Sequence, residues 1–151
     1  MLLYKNVMKI IISFIIILFF TKNIYAAIGE ETGFEIPRYV SLKSNDANIR
    51  VGPSKNYPII IKYITKNYPL MIVEEYKEWR RVKDFKNNVG WIHKSLLSGT
   101  RTGLITSIDE KDIKVFNTLD GRIIGTIGHG NIIYLEKCKI DWCFVSIDTF
   151  K

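Results

Sequence analysis

The fold is decided by residues 70–83, which read Leu-Met-Ile-Val-Glu-Glu-Tyr-Lys-Glu-Trp-Arg-Arg-Val-Lys. Leu70 to Tyr76 is an apolar run rich in residues that favour extended backbone, and Lys77-Glu78 is a polar break. Trp79 to Lys83 then returns with alternating side chains. This pattern predicts a tight antiparallel hairpin with one face buried.

Short runs of the same kind extend outward from this hairpin on both sides. Turn signals separate them, such as Gly52-Pro53-Ser54 and Asn67-Tyr68-Pro69. No stretch after residue 26 keeps a 3.6-residue period, so the sequence predicts an all-β fold. The other predicted strands of the first unit are 39–43, 48–51, 59–64 and 89–93.

The pattern then repeats past residue 99. Ile113-Lys114-Val115-Phe116 resembles residues 49–52, 123–127 resembles 59–64, and 132–136 resembles 70–74. Trp142 stands 63 residues after Trp79. A nearly constant offset indicates an internal repeat. At that offset the counterpart of Trp91 falls beyond Lys151, so the second copy is expected to be incomplete.

The first copy resembles the bacterial SH3 (SH3b) family, in its exported tandem-repeat form from proteobacteria. The resemblance is carried by Asn48-Ile49-Arg50-Val51-Gly52-Pro53-Ser54, by Trp79 with Arg81 and Val82, and by Gly90-Trp91-Ile92. It implies two small SH3-like β-barrels, the second C-terminally truncated. The expected organisation is a leader at 1–26, an extended or loosely held arm at 27–38, a first domain at 39–99 and a second repeat at 100–151.

Structural roles can be predicted for four residues of that motif: Arg50, Gly52, Pro53 and Gly90. Arg50, just before the Gly-Pro turn, can donate to loop carbonyls. Gly52 beside Pro53 supplies backbone freedom. Gly90 marks a bulge or a close approach of two strands.

The first 26 residues have the layout of a secretory signal peptide. Lys5 and Lys9 precede an 11-residue run, 10–20, that is apolar apart from Ser13, and Ala26-Ala27 follows a short polar patch. Cleavage is expected after Ala26. An uncleaved membrane anchor is the alternative, but a spanning helix needs about 20 apolar residues. The sequence therefore predicts a periplasmic or secreted protein that meets the membrane only through its leader.

Cys138 and Cys143 are the only cysteines. In an oxidising compartment a disulfide is the simplest state for them, with Lys139 to Trp142 as the turn between two strands. A redox pair is the alternative, although Cys-x-x-Cys spacing is absent.

No recognisable motif surrounds His93 or His129, and no phosphate-binding loop occurs. Glu74 and Glu75 are adjacent, which directs them to opposite faces of a strand, and we expect both to be solvated. We predict no catalytic residues, no metal site and no cofactor.

The candidate ligand-binding side chains are aromatic or basic: Tyr57, Tyr76, Trp79, Arg81 and Trp91. Aromatic rings offer stacking surface with polar edges. The alternative for each is a place in a small core, and for Trp79 and Trp91 the two interpretations are evenly balanced.

Three classes of partner are conceivable for such a module. Peptidoglycan or another envelope glycan comes first, and an envelope or host protein is the alternative. Without the leader the chain has 19 basic and 15 acidic side chains, a net charge of +4. That mild excess, together with export, makes nucleic acid an unexpected partner.

Overall fold

The computed structural model describes residues 27–106 and 111–147, and it is all-β, as the sequence predicts. The leader prediction concerns residues outside this part of the chain. A first region, residues 27–98, contains the strands β1 (Ala27–Ile28), β2 (Glu35–Ile36), β3 (Arg38–Leu42), β4 (Ala47–Arg50), β5 (Ile59–Tyr63), β6 (Pro69–Tyr76), β7 (Trp79–Lys83), β8 (Val89–His93) and β9 (Leu97–Ser98). A short 3-10 helix, Lys94–Leu96, precedes β9.

A second region comprises the described residues between 102 and 147. Its strands are β10 (Thr102–Leu104), β11 (Ile113–Phe116), β12 (Ile123–Ile127), β13 (Ile132–Cys138) and β14 (Cys143–Ser146). Among the described residues, no helix is long and apolar enough to cross a membrane.

Strands β3 to β9 of the first region form one antiparallel sheet with strand order β5-β4-β8-β7-β6-β3-β9. Alternate side chains point inward, because successive residues of a strand face opposite sides. The sheet curls around a core of Val40, Leu42, Ala47, Ile49, Leu70, Ile72, Val82 and Ile92, none of them more than 7% exposed. The strand order is open in the described residues, so the closed, tandem barrels stay a prediction.

The arm at 27–38 is docked on the sheet, which corrects the expectation that it is loosely held. Its strands β1 and β2 pair with each other, and the turn between them packs over Glu75. The amides of Glu31 and Thr32 donate to Glu75 Oε2 at 3.1 and 3.0 Å, and Thr32 Oγ1 donates to Glu75 Oε1 at 2.8 Å. The arm is therefore held by a side chain of β6.

Glu75 itself is buried, so the expectation that it is solvated was wrong. Its side chain has no exposed surface, and it forms ion pairs with Arg38 at 2.9 Å and with Arg80 at 3.4 Å. Burial acts to raise the pKa of Glu75, but the hydrogen bond from Thr32 and the charge of Arg80 outweigh it. The net pKa lies below its ordinary value, and the carboxylate stays ionised.

The second region repeats main-chain contacts of the first. Leu42 accepts a main-chain hydrogen bond from Asn67 at 2.8 Å, and Ile105 accepts one from Gly130 at the same distance. Both donors have a positive φ, 64° and 83°. Each partner of the second pair stands 63 residues after its counterpart, and Ile105 lies in a small core with Ile127 and Ile133.

Strand register fixes the counterparts at the central hairpins. The bulge between Ile72 and Glu74 in β6 recurs between Leu135 and Lys137 in β13. Trp142 is therefore the counterpart of Trp79, as the repeat predicts. Cys138 and Cys143 occupy the positions of Glu75 and Arg80.

One predicted counterpart was wrong. The register between β4 and β5 shifts at Ile49/Arg50, where Ile60 of β5 is the extra residue. The register between β11 and β12 shifts at Val115/Phe116, where Ile124 of β12 is the extra residue. Val115 therefore matches Ile49, at an offset of 66 and not 64. The sequence suggested the wrong alignment because Ile-x-Val occurs in both copies. The position of the bulge, which inserts an unpaired residue, determines which residues of the two copies correspond.

Candidate functional site

One face of the first sheet brings together most of the predicted ligand-binding residues. Cross-strand partners in an antiparallel sheet point to the same side. Trp79 of β7 is opposite both Tyr76 of β6 and His93 of β8, and Arg81 is opposite Trp91. We call Tyr76, Trp79, Arg81, Trp91 and His93 the aromatic face.

The rings of this face touch in edge-to-face pairs. Trp79 and His93 have ring centroids 5.5 Å apart at 87°, and Tyr76 and Trp91 have theirs 6.5 Å apart at 79°. Such geometry stabilises aromatic pairs and fixes their orientation. The two indoles are half-buried and Tyr76 is 47% exposed, so the rings are held in place while part of their surface stays open.

The charges on this face are largely paired. Arg81 Nη1 contacts Glu74 Oε2 at 3.0 Å, with about half of each side chain exposed. The Lys77 ammonium lies 5.3 Å from the centroid of the Tyr76 ring. The surface thus presents aromatic rings and hydrogen-bonding groups without a strong net positive or negative electrostatic potential.

Arg50 connects the aromatic face to the loop that follows β4. It is opposite Trp91 in register, and its Nη1 donates to the carbonyl oxygen of Tyr57 at 2.7 Å. This contact confirms that Arg50 can bind a loop carbonyl. Tyr57 is 46% exposed in that loop, next to the sheet edge.

Gly52 has a different role from the one expected. Its φ is not positive, so backbone freedom is not what the position requires. A Cβ atom there would lie 2.7 Å from the ring of Tyr57. Gly52 gives the Tyr57 ring room to pack, and Pro53 continues the same turn.

Gly90 is a site of close approach, as predicted. A Cβ atom there would collide with Ile49 Cγ2 and come within 2.9 Å of the carbonyl oxygen of Arg50. The missing side chain therefore lets β8 lie close to β4 and brings Trp91 next to Arg50.

Sequence analysis missed two members of this surface, His93 and Glu74. No catalytic motif surrounds His93, and Glu74 was expected only to be solvated, like its neighbour Glu75. Period-two alternation was the available signal, since Trp91 and His93 share a face, as do Glu74 and Tyr76.

The predicted disulfide is present. Cys138 and Cys143 are bonded and directly opposite each other at the end of the β13–β14 hairpin. It lies in the second region, away from the aromatic face. Within residues 27–106 and 111–147, no group of three or more His, Cys, Asp or Glu side chains could hold a metal ion.

The first region thus combines a small antiparallel sheet with a partly exposed aromatic face. Residues 43–99 match the family model of the bacterial SH3 domain. Domains of that family are generally binding modules and not enzymes. No curated protein matches the chain significantly.

Proposed function

We propose that the protein is an exported, non-catalytic binding module whose aromatic face binds a cell-envelope glycan, with peptidoglycan as the first choice. The observation that carries this proposal is the alignment of Tyr76, Trp79, Trp91 and His93 on one face with part of each ring open. Sugar rings have apolar C–H surfaces edged by hydroxyl groups. Half-exposed aromatic rings with polar side chains nearby suit both features.

The charges of the face favour a neutral or mixed-charge polymer. Arg81 is already paired with Glu74, and mutual neutralisation leaves little attraction for a purely anionic chain such as nucleic acid. The hydrogen-bonding groups stay available at the edges of the rings. A glycan is therefore the better match.

Export is the second part of the proposal. The leader at 1–26 directs the chain out of the cytoplasm, to the periplasm or medium, and the Cys138–Cys143 disulfide is compatible with that location. Contact with the membrane would end when the leader is cleaved.

The test is co-sedimentation with purified peptidoglycan sacculi. The protein is purified from cells that express the full-length chain and process its leader. We expect saturable binding that persists at moderate salt. Trp79→Ala should weaken it about thirtyfold, because losing an aromatic anchor costs about 2 kcal/mol.

Trp142→Ala is the matched control, since Trp142 is the counterpart of Trp79 in the second region. It should bind sacculi like the parent. Circular dichroism verifies that each variant is folded, and Trp79→Phe should retain part of the affinity. A folded parent that does not sediment contradicts the glycan, and cross-linking in the envelope would then identify the alternative, a protein partner.

Export is tested by mass spectrometry of the mature N-terminus. We expect the chain to begin at Ala27. Protein that keeps Met1 to Ala26 in the membrane fraction would contradict cleavage.

A further inference from the structure

A cleft of about 460 Å³ lies where the second region meets the outer side of the first sheet. The first sheet contributes a row of cross-strand partners, Tyr39 of β3, Met71 of β6 and Lys83 of β7. Lys83 is two residues from Arg81, so this row is on the same side of the sheet as the aromatic face. The second region contributes β10 and Leu135 of β13. We call this space the junction cleft.

Asn67 holds the two regions together beside the junction cleft. Its carbonyl oxygen accepts a hydrogen bond from Thr102 Oγ1 at 2.7 Å, and its Nδ2 donates to the hydroxyl of Tyr134 at 2.6 Å. Thr102 is buried and itself lines the cleft. These contacts fix β10 against the first sheet, so the cleft is formed before any ligand binds, which lowers the cost of binding.

The lining of the junction cleft is mainly apolar. Met71, Leu104 and Leu135 are its aliphatic part. The rings of Tyr39 and Phe85 also line it, and they are 69% and 51% exposed. Open aromatic rings beside aliphatic side chains suit an apolar or aromatic group of a ligand.

Two cations of this lining, Lys83 and Arg101, are available to a ligand. Within the described residues, neither side chain forms an ion pair or a hydrogen bond. Arg81, farther along β7, is paired with Glu74. The cleft therefore differs from the aromatic face in having positive charge without a partner.

Asp84 is the one acidic residue in the described lining. It is 7% exposed, and its oxygens accept hydrogen bonds from the amides of Lys86 and Asn88 at 2.9 and 2.8 Å. The side-chain amide of Asn88 and the hydroxyl of Tyr63 donate to it as well, each at 2.8 Å. Its carboxylate is thus bound by its own turn and by β5. The described lining keeps a net charge of +1, which one carboxylate of a ligand would neutralise.

We propose that the junction cleft binds a monovalent organic anion, a carboxylate attached to an aromatic or branched apolar group. Lys83 and Arg101 bind the carboxylate through charge-assisted hydrogen bonds, and the apolar group packs on Met71 and Leu104. Phosphate suits the cleft less, because a second negative charge exceeds that of the lining and is costly to desolvate beside apolar side chains. The site does not rest on the glycan proposal, since the aromatic face contributes no residue to the cleft's described lining.

The test compares two probes that differ only in charge, N-acetylphenylalanine and its neutral amide. Each is titrated into the ¹⁵N-labelled full chain, processed as above, while the amide signal of Gly103 in β10 is followed by NMR. We expect saturable binding of the acid. The neutral amide should bind at least about tenfold more weakly, because it lacks the charge that Lys83 and Arg101 recognise.

Variants of the two cations locate the binding. Lys83→Gln and Arg101→Gln should each weaken the acid about fivefold or more. Lys55→Gln makes the same charge change at an exposed position outside the lining and should have no effect. Trp79→Ala should also leave this affinity unchanged, so failure of the glycan proposal and failure of this one are distinguishable. Circular dichroism verifies that each variant is folded.

Four outcomes would overturn the proposal. The first is no saturable binding of the acid by the folded protein. The second is equal affinity for the acid and the amide, or for acetate alone. The third is binding that neither Lys83→Gln nor Arg101→Gln weakens. The fourth is tighter binding when Asp109→Asn and Glu110→Gln are combined, because the occupant would then be these acidic residues of the chain itself, which lie outside the described part.

Discussion

One pair of cross-strand positions in the central hairpin is stabilised differently in the two regions. In the first region the position holds Glu75 and Arg80, an ion pair buried under the arm. In the second it holds Cys138 and Cys143, an exposed disulfide. A buried ion pair requires further hydrogen-bond donors, and Thr32, Glu31 and Arg38 provide them. The comparison indicates that the ion pair depends on the arm, whereas the disulfide holds its hairpin without a covering segment.

The largest effect is expected from breaking the ion pair. Glu75→Gln leaves Arg80 buried without a counter-charge and loosens the arm, which should cost about 3–5 kcal/mol of unfolding free energy. Chemical denaturation measures the loss. Glu74→Gln removes an exposed pair on the same strand and should cost less than about 1 kcal/mol. Equal losses in the two variants would contradict the account.

The same carboxylate makes stability depend on acid. The pKa of Glu75 is lower in the folded protein than its ordinary value of 4.5, so its contribution is fully present above that value. The contribution is lost as the pH falls through the lower, folded pKa. Glu75→Gln should flatten this acid limb of the stability profile.

A smaller effect is expected from filling the space beside β8. Gly90→Ala forces a methyl group against Ile49 and the Arg50 carbonyl, which should cost about 2–3 kcal/mol. Gly125 of β12 has no atom within 4 Å of a built Cβ, so Gly125→Ala is the control in the second region. Thermal unfolding of both variants compares them. A tolerated Gly90→Ala would show that β8 does not need to approach β4 so closely.

The smallest effect is expected from opening the disulfide. The loop that it closes is short, so Cys138→Ser with Cys143→Ser should cost about 2 kcal/mol. The loss should be confined to the second region, with amide exchange faster in β13 and β14 and unchanged in β6 and β7. Faster exchange in the first region would mean that the two regions unfold together.

Alternation and turn residues were sufficient to predict β3 to β8 of the first region and the Trp79–Trp142 correspondence, but not β1, β2 or β9. They failed where side chains from distant segments meet. Glu75 looked solvated because the arm that buries it lies more than forty residues away. The role of Gly52 depends on where the Tyr57 ring packs, and the register of β11 depends on a bulge. None of these is encoded in local periodicity.

The aromatic face was likewise predicted only in part. Register places Trp79, Arg81, Trp91 and Tyr76 together, and each was named from composition and motif. His93 joins them only through its pairing with Trp79 across β7 and β8. Alternation puts His93 on the same face as Trp91, but no motif around it suggested a role, so its membership was recognised only once the strands were aligned.

The central claim is that the first region binds glycan through its aromatic face, and the three tryptophans can test it in one experiment. A soluble peptidoglycan fragment is titrated into the ¹⁵N-labelled processed protein while the three indole N–H signals are followed by NMR. We expect the Trp79 and Trp91 signals to shift with one saturation curve while the Trp142 signal stays in place. No shift at Trp79 and Trp91, or a shift at Trp142 alone, would contradict the claim.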